Sequence, residues 1–150
     1  MKYKDGKKEI ETDVQQKYAD TNYINLYQIK LLAGNNITAS DTVTAFMINE
    51  TYAHILGFQK PEQAIGKYLE WSNKQYPITG VVADFNQHSL REPVKPLVIG
   101  SWQNTEKTIN IALQPQNEAG TTWKSGIAKV EKAWKEVYPK DDFEYQFYDE

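Results

Sequence analysis

The chain has 150 residues, with 17 Lys and Arg against 20 Asp and Glu, two His and no Cys, for a net charge of −3. At 40% apolar and 25% charged residues it has the makeup of an ordinary folded chain, long enough for one self-sufficient core. The mild acidity gives no electrostatic pull toward nucleic acid or an anionic membrane surface, and the missing Cys excludes disulfides, Cys-ligated zinc, iron–sulfur clusters and thiol catalysis. No stretch approaches the ~20 apolar residues of a membrane-spanning helix. Residues 1–11 lack the apolar segment of a signal peptide.

In chain order, residues 2–8 are polar and read as a frayed end. Ile10, Thr12 and Val14 alternate with polar neighbours, as in a short half-buried strand. Asp20 is a candidate N-cap for one or two helical turns carrying Tyr23, Leu26 and Tyr27 at i, i+3 and i+4. Residues 29–33 follow as a strand, stopped by Gly34-Asn35-Asn36. Residues 44–48 form a β-rich run. Asn49 then caps a helix over 50–56, with Glu50 favoured in its first turn and Gly57 at its end. Pro61 to Ile65 repeats the pattern in miniature, stopped by Gly66.

Residues 68–71, a turn over 72–75 and residues 76–85 read as a hairpin. Gly80 inside its second strand marks a bulge or a close backbone approach. Pro93 and Pro96 bracket a connection. Residues 97–102 and 108–113 read as strands, the latter with Ile109, Ile111 and Leu113 alternating about a wet face. The strongest helix spans 120–138, where Trp123, Ile127, Val130, Trp134 and Val137 form one stripe before Pro139. Phe143, Tyr145 and Phe147 then alternate in a final strand. Many strands with few helices imply an α+β domain with a mixed β-sheet, strand–helix–strand units and one long C-terminal amphipathic helix.

Recognisable chemistry is scarce. There is no nucleophile elbow or S-x-x-K pattern, and the Ser residues sit in turn or strand-end contexts. The eight Gly are scattered, so no phosphate-cradling loop is present. Asp84 and His88 are four apart, a ligand spacing if helical. At a strand end they read better as groups satisfying a turn. His54 reads as a surface helix residue. Asp141, Asp142, Asp149 and Glu150 form a solvated acidic end, and Trp123 and Trp134 read as packing residues. Trp71 and Trp102 are strand-end aromatics suited either to a core rim or to exposed contact. Sequons occur at Asn36-Ile37-Thr38 and Asn49-Glu50-Thr51, the second on a helix cap. No catalytic, cofactor-binding or metal-binding residue is assigned, and no cofactor is expected.

Six motifs in order resemble one family. These are Asn22-Tyr23-Ile24-Asn25-Leu26-Tyr27-Gln28-Ile29-Lys30-Leu31-Leu32-Ala33-Gly34, Met47-Ile48-Asn49-Glu50-Thr51-Tyr52-Ala53 and Ala64-Ile65-Gly66-Lys67, then Ile78-Thr79-Gly80-Val81-Val82-Ala83-Asp84-Phe85, Ser89-Leu90 with Pro93 and Lys95-Pro96-Leu97, and the aromatic-acidic end from Phe143 to Glu150. Over residues 18–150 the chain resembles the periplasmic core domain of MacB-like, FtsX-type ABC transporter permeases of the Bacteroidetes form. It departs at Asn35, where the family has Arg, and at Asn86-Gln87, where its His comes earlier than His88.

The resemblance implies a single extracytoplasmic domain over 1–150, excised from a longer membrane permease, on the periplasmic face of the bacterial inner membrane. It implies no enzyme activity. It implies the transmembrane helices of the same permease and a separate ATPase subunit or domain as partners, a periplasmic adaptor or substrate, and a homodimeric intact permease. The candidate interaction surface is Asp84, Phe85, His88, Leu90 and Trp102. Two other functions are compatible with the residues. One is a free-standing periplasmic module binding a small molecule or peptide near 84–90 and Trp102. The other is a divergent hydrolase using Asp84 and His88.

Overall fold

A computed structural model describes residues 1–86, 93–103, 108–115 and 120–147. The chain divides into two compact units, Met1–Thr108 and Ile109–Glu150.

The first unit contains strands β1 (Lys2–Asp5), β2 (Lys8–Glu11), β3 (Gln15–Tyr18), β4 (Leu31–Gly34), β5 (Phe46–Asn49), β6 (Tyr68–Trp71), β7 (Lys74–Val82) and β8 (Leu97–Gly100). Helices α1 (Tyr23–Leu26) and α2 (Glu50–Ile55) and a 3-10 turn at Pro61–Ala64 lie between them. The described strands form one mixed sheet in the order β2-β1-β6-β7-β5-β8-β3, with β4 also paired to β7. β5 is parallel to β7 and β3 to β8, whereas β5 and β8 are antiparallel. The expected α+β class with a mixed sheet is what forms.

Strands β5 and β8 are buried on both faces, so they read as short apolar runs. Phe46 and Ile48 of β5 and Val98 of β8 point into one cluster with Tyr52, Ala53 and Leu56 of α2. Met47, Leu97 and Ile99 point to the opposite face, against Ala19, Ile24 of α1 and Ile37. Each buried Val, Leu, Ile, Met or Phe side chain contributes about 1.5–3 kcal/mol by leaving water.

Local signals place the turns. Asn49 caps α2, its Oδ1 accepting from the Tyr52 amide at 3.1 Å, and Gly57 leaves the helix at φ +95°, where a Cβ is disfavoured. Ser72 and Asn73, at φ +50° and +61°, form the two-residue turn joining β6 to β7, tighter than the four residues expected. β5 pairs Phe46 with Ile78 but Met47 with Gly80, so Thr79 is an extra residue in β7. A Cβ on Gly80 would strike the Asn35 carbonyl, the close approach that its place in a strand signals.

Three expectations are revised. Residues 2–8 are not frayed: β1 pairs with β2 and β6, and Tyr3 is buried. Gly6, at φ +60° in the two-residue Gly6-Lys7 turn, is a hairpin signal hidden among the surrounding Lys. Asp20 does not cap α1. The N-cap is Asn22, whose amide donates to Asp20 Oδ1 at 3.0 Å in an Asx-type turn. Finally, the described parts of 108–113 and 143–148 form no strand.

In the second unit, α3 (Thr122–Val137) carries the expected stripe. Ile127, Val130 and Trp134 are half-buried, while Trp123 and Val137 are exposed. The alternating aromatics of 143–147 meet the helix through rings. Trp123 and Phe147 have centroids 5.4 Å apart, and Trp134 and Phe143 6.3 Å. Trp123 Nε1 donates to the Gln114 carbonyl at 2.9 Å. Ring contact with a helix rewards the same alternation that a ladder would, which is why the sequence pattern resembles a strand.

Candidate functional site

Strand direction decides which candidate residues can meet. β5 and β7 run parallel, so Asn49 and Asp84 emerge at the same end of the sheet. β8 starts at that end with Leu97 and runs antiparallel to β5, so Trp102 lies at the other end. β8 itself, Leu97–Gly100, carries the chain about 10 Å toward that end before Ser101 and Trp102.

At the first end Asn49 is 1% exposed and makes every hydrogen bond its amide allows. Its Nδ2 donates to Asp84 Oδ1 at 2.9 Å and to the Lys95 carbonyl at 3.0 Å. Its Oδ1 accepts from the amides of Tyr52 at 3.1 Å and Leu97 at 2.9 Å. Asp84 completes the cluster, Oδ1 accepting from the Thr51 amide at 2.9 Å and Oδ2 from Thr51 Oγ1 at 2.7 Å. The carboxylate thus sits on the first turn of α2, where exposed amide groups favour negative charge. The cluster ties the end of β7, the start of α2 and the start of β8 into one clip. Its hydrogen bonds make Asp84 a fastener between distant segments, reaching Asn49 and Thr51, 35 and 33 positions away, instead of the groups of its own turn. Phe85 is half-buried and packs on the α1 side of the sheet. His88, Ser89, Leu90, Asp149 and Glu150 lie outside the described residues.

At the opposite end Trp102 meets Tyr18 edge to face at 5.4 Å. Nearby in the same sheet Phe46 contacts Tyr76 at 5.4 Å and Trp71 at 6.0 Å. Burial, with a smaller effect from Tyr76, raises the Tyr18 phenol above its ordinary value. Trp71 and Trp102 are both half-buried, which makes each a core rim with an accessible edge. The described residues therefore place Asp84 and Phe85 in one region and Trp102 in another.

A third feature was not singled out from sequence. A shallow groove lies between β1 and β6, lined by Tyr3, Lys4, Asp5, Lys67 and Glu70 among others. Its charges are paired, Lys4 Nζ with Glu70 at 3.3 Å and Lys67 Nζ with Asp5 at 3.4 Å. Tyr3 donates to Asp5 Oδ2 at 3.2 Å. Burial first, then that bond and the Asp5 charge, raises its phenol above the usual value. Finding this groove required knowing that β1 docks on β6, a pairing of residues more than 60 apart.

Tyr52, on the buried face of α2, is strongly perturbed. Burial pushes its phenol up to about 12, and the neighbouring Thr12 hydroxyl offsets part of the rise. Neither hydroxyl reaches a partner in hydrogen-bond geometry among the described residues. His54 is exposed near the C-terminal end of α2, as expected of a surface helix residue. Among the described residues no three of His, Cys, Asp and Glu are grouped to hold a metal, and no helix is long and apolar enough to cross a membrane.

No protein-family model and no curated protein matches the chain. Solved structures do. The chain is similar to the periplasmic region of MacB from Actinobacillus actinomycetemcomitans, with a TM-score of 0.60 at 14% identity over 94% of this chain. It is also similar to a domain of a putative permease from Porphyromonas gingivalis, with a TM-score of 0.57 at 16% identity over 91% of this chain. In each case the alignment spans 64% of the other chain. At this level of identity the likeness establishes the fold, which is that of a MacB-like periplasmic domain.

Proposed function

We propose that the chain is a non-catalytic extracytoplasmic domain of an ABC transporter permease, lying on the periplasmic face of the inner membrane. In this reading it moves with the transmembrane helices of its own permease and couples their movement to export or mechanotransmission. A separate ATPase subunit or domain supplies the energy, and the intact permease is a homodimer. The observation that carries the reading is the likeness to the MacB periplasmic region over 94% of this chain. The clip at Asn49 and Asp84 supports it, since a domain that transmits force needs its elements tied across the sheet. Phe85 and Trp102 are then two separate candidate contacts for an adaptor or substrate.

The flanking sequence of the parent gene is the first test. Apolar spans of ~20 residues on both sides are expected. A signal peptide before residue 1 and a stop near Glu150 would replace this reading with a free-standing binding module. The coupling is tested in the intact permease with its ATPase. Spin labels placed on α2 of two copies are expected to change separation on ATP binding and to return on hydrolysis. An unchanged separation throughout the cycle refutes the coupling.

A further inference from the structure

The β1–β2 hairpin is held to its unit by few apolar contacts, with Tyr3 in the buried cluster and Ile10 packed against it. Of Lys2 to Glu11 only Tyr3 is buried, Lys2 and Ile10 are half-buried, and the other seven residues are exposed. Its pairing to the rest of the sheet is two residues long, Lys2 with Glu70 and Tyr3 with Leu69. The Tyr3 ring seats edge to face on Phe58 at 5.5 Å. Beyond Tyr3 the tip is fastened by lysines: Lys4 to Glu70, Lys67 to Asp5, and Lys8, whose Nζ donates to the Leu56 carbonyl at 3.1 Å. Leu56 is the C-cap of α2, where unpaired carbonyls favour a cation.

We propose that this hairpin is a hinged strap, latched by lysine contacts and opening as one piece about Tyr3, and that Lys8 couples its closure to the C-terminal end of α2. An isolated two-stranded hairpin is marginal in water, so the strap depends on its docking. Exposed ion pairs are weak and screened by salt. Opening is therefore a local event that ionic strength promotes while the two-sided core stays folded. Opening removes the Lys8 ammonium from the last turn of α2, so two elements 48 residues apart loosen together.

Residue-resolved amide exchange on the full chain tests this, with wild type and Lys8→Met compared at 20 and 500 mM NaCl, about a fivefold difference in screening length. Hairpin amides are expected to exchange at least tenfold faster than those of residues 46–49, and roughly threefold faster again at high salt. Lys8→Met is expected to speed the hairpin and the amides of Leu56, Gly57 and Phe58 together, by roughly fivefold, with 46–49 unchanged and Lys8→Arg restoring both. Hairpin exchange that tracks 46–49, or ignores salt, overturns the strap. Acceleration of the hairpin alone in Lys8→Met overturns the coupling to α2.

Discussion

Residues 1–108 and 109–150 use their apolar side chains in different ways. In the first unit Phe46, Met47, Ile48, Leu97, Val98 and Ile99 are all 0% exposed, because both faces of the central strands are covered. In the second, none of the described residues is buried, although α3 has the cleaner sequence periodicity. Ile109, Ile111, Trp123, Val137, Tyr145 and Phe147 are all at least 39% exposed. A stripe shows that a segment will be helical. Burial of that stripe depends on what else reaches it. Stability is therefore expected to sit almost wholly in the first unit.

The largest effect that sharpens the contrast is Phe46→Ala, which opens a cavity beside Trp71, Tyr76 and Gly100. About 3–5 kcal/mol should be lost in denaturant unfolding. A loss under ~1 kcal/mol would break the comparison. Asn49→Ala comes next, at about 3 kcal/mol. It strands the Leu97 amide and the Lys95 carbonyl and uncaps α2 at one stroke.

Alkaline pH acts on the same core through Tyr52. The folded state holds this proton up to about 12, whereas the unfolded chain releases it near 10. Between those values the folded state binds more protons, so stability falls as pH rises. The contribution is complete below pH 10. The loss is about 2 kcal/mol by pH 12, read from unfolding midpoints across the range. Tyr52→Phe should flatten that slope and cost little at neutral pH, since among the described residues its hydroxyl makes no hydrogen bond of good geometry.

Asp84→Ala should cost about 1 kcal/mol, since the site is exposed and the Asn49 bonds to backbone remain. Val137→Ala on α3 should fall within about 0.5 kcal/mol. A larger loss there would show the stripe of α3 to be covered in solution.

Much of the first unit was legible because its signals are local. The Asn49 cap, the Gly57 stop and the β6–β7 turn each rest on residues within four positions of one another. β1 was not legible, since one buried Tyr among Lys and Asp gives no alternation to read. Asp84 was not legible as a fastener, since its partner Thr51 is 33 positions away. The separation of Asp84 from Trp102 depends on the direction of β8 relative to β5, which no local pattern encodes. The ring contacts of 143–147 mimic a strand in sequence because a helix surface and a neighbouring strand both select every second residue.

The buried amide of Asn49 also bears on how the protein can be made. Asn49-Glu50-Thr51 is a glycan acceptor sequence, yet its acceptor nitrogen already serves Asp84 and the Lys95 carbonyl. A eukaryotic secretory host meets this tripeptide on the nascent chain, before the clip closes. A sugar attached then would occupy the space of the Asp84 carboxylate and the Lys95 carbonyl, so such a host should yield misfolded material that Asn49→Asp, which removes the acceptor, does not fully rescue.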